Sequence, residues 1–148
     1  MTTKSASIES AEARLLVGLY VYGDDLRPDL VSSRLQGEPT RSQRRGDIKA
    51  SRSGDIPAKV GLWEMTSTIQ SPALGDHLDH LLSRIGRPDV FIPSIDGVEE
   101  VHLDVFVSRL GQRDGYRRID LELDLPRVSA LATLGASLRI SVVDSVDR

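Results

Sequence analysis

Reactive side chains concentrate at three places in this sequence: the carboxylates Asp24 and Asp25, the guanidinium groups Arg41, Arg44 and Arg45, and the run Asp76-His77-Leu78-Asp79-His80. Adjacent carboxylates could hold a hard cation or work as acid and base. Both roles need further ligands or a second partner, and consecutive side chains on extended backbone point apart. Acidic residues between a strand and a helix are already explained by turn chemistry, backbone N–H bonding and the helix dipole. The segment Thr40 to Asp47 combines three arginines with hydroxyls and Gly46, a composition able to cradle an anion. Glu38, Asp47 and Asp55 offset that charge, and the Walker spacing is absent. In the third run the histidines stand three apart, whereas helical metal motifs use four, and Asp76, Asp79 and His80 turn away from the leucine stripe of their helix. His102 beside Asp104 has no nucleophile elbow to serve. No catalytic set, metal set or cofactor is therefore expected.

The elements that would position these residues belong to one domain. The chain has 148 residues, 39% of them apolar, and a formal charge of −3, enough length to bury a core without a disulfide or structural metal. With no cysteine, thiolate metal sites and cysteine nucleophiles are excluded. Residues 1–12 read as a disordered leader, and 13–148 as a single domain with a long polar loop at 38–59. The start lacks the apolar region of a secretory signal and no stretch is long enough to span a membrane, so a cytoplasmic protein is expected. The slight acidity argues against a nucleic-acid binder.

Arg14 to Tyr22 is nearly continuous apolar sequence and predicts a central strand. A short helix follows from Pro28 to Gln36, with Gly37 as its cap, then the polar loop and a strand from Val60 to Thr68. Leu74, Leu78, Leu81, Leu82 and Ile85 form one stripe of a second helix ended by Gly86. Val101, Leu103, Val105 and Val107 alternate with polar residues, and Ile119, Leu121, Leu123 and Leu125 do so again after Gly111 to Gly115, predicting a hairpin. Pro126 opens a third helix, Gly135 stops it, and Leu138, Ile140 and Val142 form a last strand. The order β-α-β-α-β-β-α-β predicts an α+β two-layer sandwich, with ferredoxin-like split β-α-β units and an extra helix between them.

In such a sandwich the face away from the helices carries Tyr20, Tyr22, His102, Asp104, Phe106, Arg118, Asp120, Glu122, Asp124, Arg139 and Ser141. Aromatic residues among mixed charges on an open sheet suit a protein partner or self-association through sheet faces or edge strands.

The succession Val21-Tyr22-Gly23-Asp24-Asp25-Leu26, Glu38-Pro39-Thr40-Arg41, Arg45-Gly46-Asp47, Gly61-Leu62-Trp63 and Leu134-Gly135-Ala136-Ser137-Leu138 resembles the bacterial domain of unknown function family four-two-seven-nine, from about Arg14 to Val143. The resemblance implies a small α+β protein and brings no activity, cofactor or catalytic residue with it. By analogy of shape it suggests a toxin-neutralising, immunity-type protein. The candidate binding residues are Tyr20, Tyr22, Asp24, Asp25, Thr40, Arg41, Arg44, Arg45, Asp47, Trp63 and Phe106. The expectation is a binding or interaction protein. The alternative is a phosphate-ligand protein or hydrolase in which Asp24 and Asp25 meet the arginines of the loop across a pocket.

Overall fold

The computed structural model describes residues 13–50, 54–110 and 119–145. Strand β1 (Ala13–Gly23) lies at the centre of a mixed five-stranded sheet. Helix α1 (Pro28–Leu35) follows it, then β2 (Arg41–Gln43), the short strands β3 (Ile48–Lys49) and β4 (Ile56–Pro57), and β5 (Gly61–Thr66). Helix α2 (Leu74–Ser83), a single 3-10 turn (Ile92–Ser94), β6 (Glu100–Leu110), α3 (Leu125–Leu134) and β7 (Ser137–Ser145) complete the chain. The sheet order is β2-β5-β1-β6-β7, and β3 pairs only with β4. Every pairing is antiparallel except β6 with β7.

Alternation along β1 puts Val17, Leu19 and Val21 on one face, where they join Leu103 and Val105 of β6, Trp63 and Met65 of β5 and the apolar stripes of the helices in one core. The α2 stripe is as the periodicity predicts, with Leu74, Leu78, Leu81 and Ile85 all buried. Each such side chain, moved out of water, contributes about 1.5–3 kcal/mol before entropy is counted. Helix α3 begins where Asp124 accepts the Arg127 N–H, and it stops at Gly135, whose φ of 75° is left-handed backbone.

Four expectations change. The strand predicted at 119–125 does not form: residues 119–124 carry no regular structure and Leu125 already belongs to α3. Both edges of β6 are occupied, one by β1 and the other by β7 in parallel, which leaves no place for a returning strand. The expected connection at Gly111 to Gly115 lies outside the described residues. The ferredoxin-like arrangement fails for a related reason. The split unit expected of β1, α1 and the strand at 60–68 does not form, because β5 is the antiparallel neighbour of β1. The strand that runs parallel to β1 after α1 is the short edge strand β2, on the far side of β5, and β6-α3-β7 joins two strands that pair directly in parallel. The polar loop is not wholly irregular, since it supplies edge strand β2 and the β3–β4 pair. The cap of α1 also moves by one residue: Gln36 takes the left-handed conformation at φ 52°. Gly37 instead leaves room for the Arg84 carbonyl, which a Cβ would approach to 2.8 Å.

Among the described residues no helix is long and apolar enough to cross a membrane.

Candidate functional site

The face of the sheet away from the core is built by register. Tyr20 of β1 sits between Glu64 of β5 and His102 of β6. Glu64 is in turn the partner of Arg41 on β2, so Arg41, Glu64, Tyr20 and His102 form one row across four strands. In the next row Gly18 lies between Thr66 and Asp104, and Asp104 is opposite Arg139 of β7. The row beyond holds Leu16, Phe106 and Ser141. Leu16 is 61% exposed while Val17 beside it is 2% exposed, which marks the two faces as open and covered.

The side chains on this face constrain one another. The Arg41 guanidinium donates to Glu64 Oε1 at 2.8 Å, pairing a carboxylate that the sheet has nearly buried. The rings of Tyr20 and Tyr22 stack with centroids 6.1 Å apart, and Tyr22 leans on His102 at 6.3 Å. Tyr20 lies over Gly18, where a Cβ would stand 2.8 Å from its Cε1. Glycine there lets the ring settle against the strand. Burial pushes both phenol pKa values up, and the neighbouring Glu64 and Asp104 charges add to the effect. Arg139 reaches His102 Nε2 at 3.2 Å. A guanidinium can only donate, so Nε2 accepts and the ring proton sits on Nδ1, which is buried and has no partner among the described residues. The face thus offers an apolar end, a paired aromatic centre and fixed charges of both signs.

The other candidates do not join it. Asp24 and Asp25 form a turn closed by the Leu26 N–H on the Gly23 carbonyl, and Glu99 accepts the Asp24 N–H at 2.6 Å. The loop does fold back: Arg45 comes within 3.8 Å of Asp24 and 4.0 Å of Asp25, all three side chains being largely exposed. Arg41 is engaged with Glu64 while Arg45 faces Asp24 and Asp25, so these two guanidinium groups serve different carboxylates, and the Arg44 backbone N–H is held by Asp47 within its own turn. Thr40 Oγ1 accepts the Thr66 N–H, tying β2 to the end of β5. Trp63 is no surface residue. It is fully buried in the core and donates its indole N–H to Ser32 Oγ. Asp120, Glu122 and Asp124 are off the sheet, lining with Pro72, Gly75, Asp76 and Arg127 a cleft of about 350 Å³ at the start of α2. Arg118 lies outside the described residues. Among the described residues no group of three or more histidines and carboxylates is placed to hold a metal ion.

Two features escape the sequence reading. Glu64 is one; nothing in its strand marked it as the partner of an arginine from the loop. The other is His77, which is 1% exposed. Its Nε2–H donates to the Ser71 carbonyl and its Nδ1 accepts from the Ser67 hydroxyl, each at 2.8 Å. A signal was present, since on the helical wheel His77 falls beside Leu74 and Leu81 within the buried stripe.

A family model described as a domain of unknown function, DUF4279, matches residues 12–145. No curated protein and no solved structure matches the chain.

Proposed function

The chain belongs to the DUF4279 family, and on that premise, with no activity carried over from the family, we propose that it is a non-enzymatic protein-binding domain that presents its open sheet face to a partner. In this reading the domain is a two-layer sandwich, bacterial and cytoplasmic, with all the helices on one side and the binding surface on the other. One observation carries the proposal: the stacked Tyr20–Tyr22 pair stands half-exposed between fixed Arg41–Glu64 and His102–Arg139 contacts, beside the exposed Leu16 and the half-buried Phe106. Held aromatic rings supply contact area at little entropic cost, and flanking charges set orientation. Neutralisation of a toxin is one form such binding could take.

The test is capture of a partner from lysate by the unaltered protein and by Tyr20→Ala/Phe106→Ala, with Asp79→Asn on the helical side as the control. A stoichiometric partner kept by the control and lost by the double variant, at unchanged circular dichroism, is the expected result. A partner retained equally by both variants removes the sheet face from consideration.

A second reading, a phosphate-ligand or hydrolytic role at Asp24, Asp25 and Arg45, is favoured by the approach of Arg45 to both carboxylates. It requires that divalent cations or phosphorylated metabolites at saturating concentration raise the melting temperature, because a ligand that prefers the native state stabilises it. An unmoved melting temperature ends that reading.

A further inference from the structure

We infer that β7 is a self-pairing edge, through which two copies of this chain join β7 to β7 in antiparallel register and run one sheet through both. The two edges of the sheet are built differently. At one, β2 is three residues long and carries Arg41, a short charged strand of the kind that resists pairing. At the other, β7 has nine residues and no proline, and between Ser137 and Val143 its one charge is Arg139.

The core-side residues of β7 are also uncovered. Leu138, Ile140 and Val142 are in register with Leu103, Val105 and Val107, which are at most 1% exposed, yet they are themselves 45%, 45% and 57% exposed.

A second copy matches that row, and the sequence selects the register. Centring the two-fold on Ile140 sets Leu138 opposite Val142 of the other copy and Ile140 opposite itself, so that the aliphatic rows abut. On the other face Arg139 then meets Ser141. Centring on Arg139 would oppose two guanidinium groups, and centring on Ser141 would set Leu138 against Asp144. Registers that turn one copy over place the aliphatic row beside Arg139 and Ser141. The self-pairing edge shares Arg139 and Ser141 with the open face but does not use Tyr20, Tyr22 or Phe106, so substitutions at Ile140 and at Tyr20 with Phe106 test the two proposals separately.

The absence of cysteine makes the test clean. Opposite residues in an antiparallel pair have Cβ atoms about 4.5–5.5 Å apart, so Ile140→Cys alone is expected to give a disulfide-linked dimer under mild oxidation. Leu138→Cys/Val142→Cys should do the same, and Leu138→Cys alone or Ser141→Cys alone should not. Sedimentation equilibrium of the unaltered protein should show a dimer, and Ile140→Lys, at a half-exposed position, should raise the dissociation constant by at least about tenfold with unchanged circular dichroism. If Ile140→Lys does not fold, the cysteine series carries the test. A protein monomeric at every concentration, a folded Ile140→Lys that dimerises as before, or equal cross-linking by Ile140→Cys and Ser141→Cys overturns the proposal.

Discussion

Replacing His77 by alanine separates a structural role from a catalytic one at the place where this fold most resembles a nucleophile and its base. The Ser67 hydroxyl donates to His77 Nδ1, and the imidazole is oriented through Nε2–H on the Ser71 carbonyl, an arrangement that in an active site would activate the serine. The ring, however, is 1% exposed and packed in the apolar stripe of α2. Its two hydrogen bonds fasten the segment that leaves β5 to the helix that follows. His77→Ala deletes the ring from a close-packed site and leaves the Ser71 carbonyl without this donor. The cavity and the lost hydrogen bonds together cost about 2–4 kcal/mol. At roughly 2–4 °C per kcal/mol for a domain of this size, the melting temperature should fall by about 5–15 °C. Ser67→Ala, which strips the acceptor Nδ1 of its donor but opens little space, should cost about 0.5–2 kcal/mol. Urea unfolding measures both, and the midpoints should shift with the slope unchanged. A loss below about 1 kcal/mol for His77→Ala, together with covalent labelling of Ser67 by an acylating probe that His77→Ala abolishes, would refute the structural assignment.

Three further outcomes are expected. The hydrogen bond from Arg127 holds the Asp79 carboxyl below the usual carboxylate range. The stabilisation is therefore complete above the unfolded pKa and is lost as pH falls through the lowered folded value; Asp79→Asn should flatten the acid limb of a stability–pH curve by no more than about 1 kcal/mol, since the pair is solvent-exposed. Tyr20 and Tyr22 should ionise later than free tyrosine in an ultraviolet titration, burial being the main cause and Glu64 adding to it. Because the unfolded phenols would ionise first, stability should fall as pH rises through and above the ordinary tyrosine pKa, and Glu64→Gln should reduce the displacement of Tyr20. Gly135→Ala should destabilise by more than about 1 kcal/mol in thermal unfolding, because an L side chain is strained at φ 75° and its Cβ would stand 2.5 Å from Pro93 Cδ.

What the sequence reveals follows the physics that local patterns encode. The α2 stripe, the alternation of β1 and β6 and the stop at Gly135 depend on residue spacing and on one backbone conformation, and all are legible. Tyr20, Tyr22, His102 and Phe106 are legible as residues of one face for the same reason. Their neighbours Glu64 and Arg41 are not, because that contact needs the β2–β5 register, which pairs residues 23 apart through a segment that reads only as polar loop. Trp63 illustrates the converse. A tryptophan can serve a surface or a core, and its choice here depends on Ser32, a residue of α1 that supplies an acceptor for the indole N–H.

The misread segment has the largest consequence for function. From Ile119 to Asp124 apolar residues are half-buried and acidic ones exposed in strict alternation, so the pattern correctly reports which side chains turn to the core. Alternation carries no information about where the backbone hydrogen bonds go, and with both edges of β6 taken the segment packs against the core without entering the sheet. Asp120, Glu122 and Asp124 are thereby carried to the start of α2, where Asp124 caps α3 and shares Arg127 with Asp79. Three acids counted on the open face in the sequence leave it. Its centre is then nearly balanced, Arg41 against Glu64 and Arg139 beside Asp104. Under the proposed binding role, this balance means that the partner need not be basic, and the aromatic pair rather than net charge would supply most of the discrimination. Truncating Tyr20 and Phe106 should therefore weaken capture far more than raising the salt concentration, because screening acts on exposed charges and leaves buried apolar contact nearly untouched.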